Sequence, residues 1–515
     1  MAEQQSKPPP GPDLTAGIAI AEIASGQMLV GHVGGDAVLL ARQDDAFFAI
    51  GATCSHYSGP LGEGLLVGDT VRCPWHHARF CLRTGEAIGA PAFNAVPCWR
   101  VEKRGDKIFV RERAAPADRT ASSGGARGAA KPERIVIVGG GAAGFAAAEM
   151  LRREGFAGSL TMVSSDNAPP YDRPNCSKDY LAGNAPEEWM PLRPPEFYSD
   201  HGIDLRLETE VASIDARGRS VSLADGKSLP FDKLLLATGA EPIRLDIPGA
   251  NAPHVFVLRS LADTRAIIER AKGAKRAVVL GASFIGLEAA AALRAREIDV
   301  HVAAPERAPL ERVFGSDMAH FVRLLHEEHG VTFHLEQKPT AIDGTRVRLE
   351  NGQTLDADLV IVGIGVRPRT ALAERAGLQV DRGVSVNEYL QTSAPDIFAA
   401  GDIARWPDPH SGSRLRIEHW VVAQRQGQTA ARNMLGAGEK FTQVPFFWSQ
   451  HYDVPINYVG HAEKWDDIAV EGNIAGRDCV LRYRQGGRVL AAASIYRDRE
   501  SLEAEVAMER DRRRG

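Results

Sequence analysis

Cysteine is scarce in this chain, six in 515 residues, which excludes a scaffold built on disulfides. Long apolar runs are absent: no stretch of about 18 apolar residues occurs, so no membrane-spanning helix is expected. The N-terminal MAEQQSKPPPGPDLTAG has neither the apolar core of a secretory signal nor the Arg-rich amphipathic pattern of a transit peptide. Neither sign of charge predominates, since 61 Lys and Arg stand against 66 Asp and Glu for a formal net charge of -5. There is thus no basic stripe of the kind that nucleic acid or an anionic membrane surface would need. The expectation is a cytoplasmic protein, monomer or homodimer, with no membrane and no nucleic-acid partner.

The chain does have enough apolar material, 44% of its residues, for several packed cores, and its length suits several domains. Ala114 to Lys131, rich in Ala, Gly, Ser and charge, reads as a flexible linker. Before it, short apolar runs (Gln27 to Val33, Ala37 to Ala41, Phe47 to Ile50, Thr70 to Cys73, Lys107 to Arg111) alternate with glycine turns, the pattern of a small all-β domain. After it, a strand, glycine turn and helix unit occurs twice, at Ile135–Val138 into Gly139 and at Ala277–Leu280 into Gly281, implying two dinucleotide sites. From Phe441 onward strand-like runs return, with Cys479 to Tyr483 and Val489 to Tyr496 joined at Gly486-Gly487, so an α+β domain is expected, its last ten or so residues frayed. The expected architecture is an all-β domain over 14–113, a linker over 114–131 and a Rossmann-like α/β domain in two parts, 132–252 and 375–440. A second Rossmann-like domain over 253–374 interrupts it, and the α+β domain covers 441–515.

Cys54-Ser-His56 and, sixteen residues later, Cys73-Pro-Trp-His76 offer two thiolates and two imidazoles. Thiolates hold ferric iron and imidazoles raise its potential, so this donor set suits a [2Fe-2S] centre; the same ligand types also suit zinc. From about Leu14 to Arg113 the chain resembles the Rieske ferredoxin domain. The resemblance implies Cys54 and Cys73 on one iron and His56 and His76 on the other. Ser58 stands where high-potential members carry a disulfide cysteine, which points to the lower-potential kind. Cys81 is expected to be buried packing and His77 to be solvated.

In Gly139-Gly-Gly141-Ala142-Ala143-Gly144 a β-branched strand feeds G-x-G-x-x-G and then a helix, the combination that lets a pyrophosphate approach a helix N-terminus. Asp166, after the next strand, is a candidate ribose ligand. The second copy reads Gly281-Ala-Ser283-Phe-Ile-Gly286, with Ser for the second glycine. Glu306, beyond the strand that follows, is expected to bind the adenosine ribose and to disfavour a 2′-phosphate, hence NADH over NADPH; its alternative is a solvated loop glutamate.

Together with Ala237-Thr238-Gly239, DIFAAGDIA containing Gly401-Asp402, and PYDRPNCSK from Pro170 to Lys178, these motifs resemble the two-dinucleotide flavoprotein reductases, specifically the Rieske-containing branch of the apoptosis-inducing-factor family and the ferredoxin reductases of oxygenase systems. The resemblance implies that the interrupted α/β domain binds FAD and the inserted one NAD. It places Asp402 on the FAD ribityl chain, Lys178 beside the flavin paired with Glu288, and Trp420 and Trp448 stacked on or shielding the flavin. An ordinary interdomain salt bridge, and plain core packing for the tryptophans, stay open. Arg173 and Gly365 complete the expected cofactor-binding set. Cys176 has no cysteine four or five residues away, which disfavours dithiol chemistry. The implied activity is FAD-dependent NAD(P)H oxidation that passes electrons through the chain's own cluster to an unidentified acceptor, an oxygenase or a ferredoxin. The competing readings are an NADH-responsive redox-sensing interaction protein with slow turnover, and a reductase whose Rieske domain only docks partners.

Overall fold

A computed structural model describes residues 11–115 and 132–511, so most of the expected linker lies outside the described residues. Those described form two compact units, one from 11–115 together with 497–511 and the other from 132–496.

The larger unit contains two parallel sheets of five strands. In the first, strand β1 (Arg134–Val138) is central, in the order Ile203–Arg206, Ser159–Val163, β1, Lys233–Leu236, Ile397–Ala399. Ile135 to Val138 are all buried, as a parallel strand covered on both faces requires, so this run has no polar alternation. Helix α1 (Ala142–Arg153) follows directly. The second sheet runs Val255–Val257, Leu359–Val362, β2 (Arg276–Leu280), Asp299–Ala304, Val331–Leu335, with α2 (Phe284–Ala295) after β2 and α3 (Ser316–Glu328) further on. Helix α4 (Trp420–Met434) lies against α1 at small residues: a Cβ on Gly427 would come within 2.2 Å of the Ala143 carbonyl oxygen. Beside smaller sheets of two and three strands, the unit holds a five-stranded antiparallel sheet, with β3 (Phe446–His451) at one edge and strands Arg488–Ile495 and Asp478–Gln485 inside it. The Gly486-Gly487 hairpin stands as expected, both glycines at positive φ.

The smaller unit has a six-stranded antiparallel sheet (Ile18–Ala19, Lys107–Arg113, Cys98–Arg104, Ala46–Gly51, Asp36–Gln43, Met28–Val33) and a four-stranded one (Leu65–Val67, Thr70–Arg72, Arg79–Cys81, Ala87–Gly89). Helix α5 (Asp498–Asp511) belongs to this unit, although only Tyr496 and Arg497 separate it from the last strand of the other. The expectation of a frayed end is corrected as far as Asp511, and residues 512–515 lie outside the described residues. Leu502, Val506 and Met508 are buried, and Glu505 is 0% exposed. The carboxylates of Glu505 and Glu509 hold Arg72 and Arg79 in four ion pairs of 2.7 to 3.0 Å. His77 is also corrected: it is fully buried, its Nδ1 3.0 Å from Glu505. Cys81 is half-buried rather than buried, because Phe80 takes the core side of its strand.

Candidate active site and cluster loops

The first glycine turn separates into three physical roles. Gly139 has φ of +119°, which only glycine adopts without strain. Gly141 faces open space, the nearest atom to a Cβ there being an Arg173 nitrogen at 3.9 Å, whereas a Cβ on Gly144 would strike the Gly139 carbonyl at 1.9 Å. Gly141 therefore leaves room for a ligand at the start of α1, and Gly144 lets helix and turn pack. The second turn repeats the scheme at Gly281 (φ +108°) and Gly286, whose Cβ would meet the Gly281 carbonyl at 2.3 Å. Ser283 caps α2, and its hydroxyl donates to the Gly363 carbonyl at 2.6 Å.

Both turns open on one cavity of about 1930 Å³, larger than one drug-sized ligand needs. Its wall gathers most of the expected residues: Gly139, Gly141, Ala142, Ala143, Asp166, Arg173, Lys178, Ala237, Thr238, Gly239, Ser283, Glu288, Gly365, Gly401, Asp402, Trp420 and Trp448. Gly144, Gly281, Gly286 and Glu306 are not on that wall. The three glycines serve the turns, and Glu306 is half-buried in the loop beyond strand Asp299–Ala304. Asp402 is not idle, since its carboxylate accepts from Arg259 at 2.6 Å.

Lys178 and Glu288 meet as expected, Nζ to Oε2 at 2.8 Å, and the ammonium lies 5.9 Å from the Trp448 ring. Burial alone would raise the Glu288 carboxyl. The Lys178 charge and hydrogen bonds from Lys178, Ser177 (2.6 Å) and Ser449 (2.6 Å) outweigh it and hold the group below its ordinary value. It stays ionised, and Lys178 stays oriented toward the cavity. Sequence reasoning missed Ser177, although it adjoins Lys178, and Ser449 and Arg259, which carry no local signal. The Cys176 thiol is buried and pushed up to about 11 by that burial; all six cysteines are free. A neutral thiol is a poor nucleophile.

In the smaller unit, two loops of the same design present the cluster residues. The Ser58 amide donates to the Cys54 carbonyl and the Cys54 amide to Gly59; the His77 amide donates to Cys73 and the Cys73 amide to Ala78. Ser58 and His77, equivalent in the two loops, share positive φ of 60° and 59°. Cys54 and Cys73 are buried and share a hydrogen bond that draws the Cys54 thiol down and holds Cys73 up. Half-buried His56 and His76 point their Nδ1 atoms at each other, 3.3 Å apart. Burial keeps His56 neutral, pushing it down to about 3, as imidazole ligation requires. Among the described residues no three His, Cys, Asp or Glu converge on a single point. The four side chains meet as a thiol pair and an imidazole pair, the donor types that suit a two-iron cluster. Exposed Tyr57 and Trp75 flank the histidines.

A family model for the pyridine nucleotide-disulphide oxidoreductases matches residues 133–427. The chain belongs to that family. Models for the Rieske [2Fe-2S] domain and the reductase C-terminal domain match residues 16–100 and 446–514. Over 494 residues it is 33% identical to apoptosis-inducing factor 3 of Homo sapiens, covering 93% of this chain and 81% of that protein. It is 37% identical to putidaredoxin reductase of Pseudomonas putida, covering 71% and 89%. A solved structure, the covalent putidaredoxin reductase-putidaredoxin complex, is 35% identical with a TM-score of 0.72, covering 74% of this chain and 94% of that one.

This member of the family is therefore an NAD(P)H-dependent flavoprotein oxidoreductase of the ferredoxin-reductase type with a Rieske [2Fe-2S] domain, and FAD, NAD(P)H and the cluster are its cofactors. The residues present fit them. Gly141 leaves the close approach that a pyrophosphate needs, and the buried Arg259 Nε and His419 Nδ1 have no protein partner among the described residues. Of the described helices none is long and apolar enough to cross a membrane.

Proposed function

We propose that the chain carries electrons from NADH, through FAD in the large cavity, to its own [2Fe-2S] cluster and on to a separate acceptor, a ferredoxin-like protein or an oxygenase. The observation that carries this reading is the pairing of Lys178 with Glu288 on the wall of a cavity that both glycine turns share. FAD, when bound, converts a two-electron hydride donor into a source of single electrons. The residues do the rest: Gly139, Gly141, Asp166, Arg173, Gly239 and Asp402 hold the flavin dinucleotide, and Ser283, Gly365 and Glu306 hold the nicotinamide one. Lys178, fixed by Glu288, would present a positive charge to the flavin ring, and Trp420 and Trp448 on the same wall would shield it. Cys54 and Cys73 would hold one iron of the cluster and His56 and His76 the other, and the cluster would supply one-electron transfer there. Cysteines that are either cluster ligands or outside any disulfide suit a reducing, cytoplasmic compartment.

The test uses the intact holoprotein, mixed anaerobically with NADH and followed at flavin and cluster wavelengths over a roughly tenfold dilution series. Joined in one chain, the two groups exchange electrons at a rate independent of dilution. A flavin that bleaches while the cluster stays oxidised, yet still yields to dithionite, refutes the internal path. The likeness to apoptosis-inducing factor 3 favours one further reading, redox sensing, whose signs are slow acceptor reduction and an NADH-dependent change in association state.

A further inference from the structure

Behind the cavity wall, Glu288 is held by more donors than an ion pair with Lys178 requires. Its Oε2 accepts from Ser177 and Lys178, at 2.6 and 2.8 Å, and its Oε1 accepts from Ser449 at 2.6 Å. Ser449 Oγ lies 3.2 Å from His451 Nε2, and His451 Nδ1 lies 3.1 Å from His326 Nε2. His326 Nδ1 in turn lies 3.2 Å from the hydroxyl of half-buried Tyr452. Ser449 and His451 belong to β3 and His326 to α3, and all three are at most 1% exposed.

The ionised carboxylate fixes the direction of every hydrogen in this row. Glu288 can only accept, so the single Ser449 hydrogen goes to it, and Ser449 accepts from His451 Nε2–H. A neutral His451 then has a bare Nδ1, which accepts from His326 Nε2–H, and the bare Nδ1 of His326 accepts from Tyr452. Burial keeps both imidazoles neutral, pushing His451 down to about 4 and His326 well below its ordinary value. It also raises Tyr452, so the phenol keeps its proton. Each donor thus sets the tautomer or the rotor of the next, and the last of them points at Glu288. Apolar side chains would suit the surrounding core, with Phe321, Val322, Leu325, Val454 and Ile456, without the cost of desolvating two imidazoles. What the imidazoles add is direction. A serine hydroxyl alone rotates, whereas one that accepts from His451 has its hydrogen left only for the carboxylate.

We propose that Ser449, His451 and His326 are positioning residues for Lys178. Acting through Glu288, with Tyr452 as the terminal donor, they hold the ammonium in one place on the cavity wall, set toward the flavin ring. The inference rests on the reading above that Lys178 presents its charge to that ring. A positive charge beside a ring that takes up electrons favours the uptake, so loosening Lys178 makes the flavin harder to reduce.

The experiment equilibrates the intact holoprotein and its variants anaerobically with dithionite and a reference dye. No nicotinamide and no acceptor is added, so the internal electron path is not at issue. Lys178→Met should shift the flavin equilibrium toward the oxidised form by roughly tenfold, about 30 mV for a two-electron couple. Ser449→Ala and His326→Phe should shift it the same way by roughly threefold, a part of what a hydrogen bond to a charged group contributes. Ser449→Thr, which keeps the hydroxyl, should match the unsubstituted protein. Because these residues act through Lys178, adding Ser449→Ala to Lys178→Met should produce no further shift. A second measurement uses the unsubstituted protein: ¹⁵N spectra of labelled histidine should show His326 and His451 neutral and protonated on Nε2. An unshifted equilibrium in Ser449→Ala or His326→Phe overturns the positioning role, as do additive shifts in the double variant or a proton on Nδ1 of either ring. If Lys178→Met itself leaves the equilibrium unchanged, the reading of Lys178 fails first and the need to position it goes with it.

Discussion

A single carboxylate sets the expected coenzyme preference. Glu306 stands two residues beyond strand Asp299–Ala304, where an acidic side chain can accept from the adenosine ribose hydroxyls and repel a 2′-phosphate. Glu306→Ala should therefore bring kcat/KM for NADPH closer to that for NADH by roughly tenfold, about 1.4 kcal/mol of discrimination, measured with an artificial acceptor. An unchanged ratio would move the discrimination to another residue. Glu306 does not line the large cavity, so its substitution should leave flavin content alone. Lys178 and Glu288 differ in this respect, because both line that wall and a change in either acts on the flavin's surroundings.

At the level of elements, α5 gives the clearest case of sequence and structure diverging. The closing stretch of the sequence, with its run of arginines, reads as a tail, yet Glu505 within α5 is sealed beneath Arg72, Arg79 and His77. Removing one partner of a buried ion network leaves the others uncompensated, at a cost of about 3–5 kcal/mol. Glu505→Ala should therefore unfold the smaller unit at a lower temperature, with the visible signal of the cluster lost before flavin is released. Coincident loss of both signals, at the unsubstituted temperature, would show that α5 does not secure this unit. His77 follows the expected ligand His76, so the helix also fixes the loop that presents an imidazole to the cluster.

For the whole molecule, the buried neutral histidines set a pH dependence. Burial pushes His451 down to about 4 and His419 to about 3. Folded values below the unfolded 6.5 mean that the unfolded chain binds more protons between them, so stability falls as pH drops below about 6.5. Each group contributes about 1.4 kcal/mol per pH unit in that window, together about 4 kcal/mol between pH 6.5 and 5. Urea midpoints taken from pH 7 to pH 5 should fall with pH, and His419→Phe should reduce that slope by about 1.4 kcal/mol per pH unit. A flat profile would mean that these imidazoles are solvated in solution.

The amino-acid sequence alone was enough for the two glycine turns, the two cluster loops and part of the cavity wall. Each is local, because a turn that needs positive φ at Gly139, a C-x-H loop and a C-x-x-H loop are each written within ten residues, and chemistry held by adjacent residues survives without knowledge of the fold. It also separated the all-β segment from the α/β segments, since period-two and period-3.6 patterns differ within one element. Tertiary structure alone decided which distant side chains meet. Ser449, His451 and His326 form one chain because a strand edge packs against α3, and no pattern within either element marks that pairing. Glu505 is buried for the same reason: an amphipathic helix declares that it has an apolar face, but the surface that covers it is chosen by packing across more than four hundred residues of sequence separation.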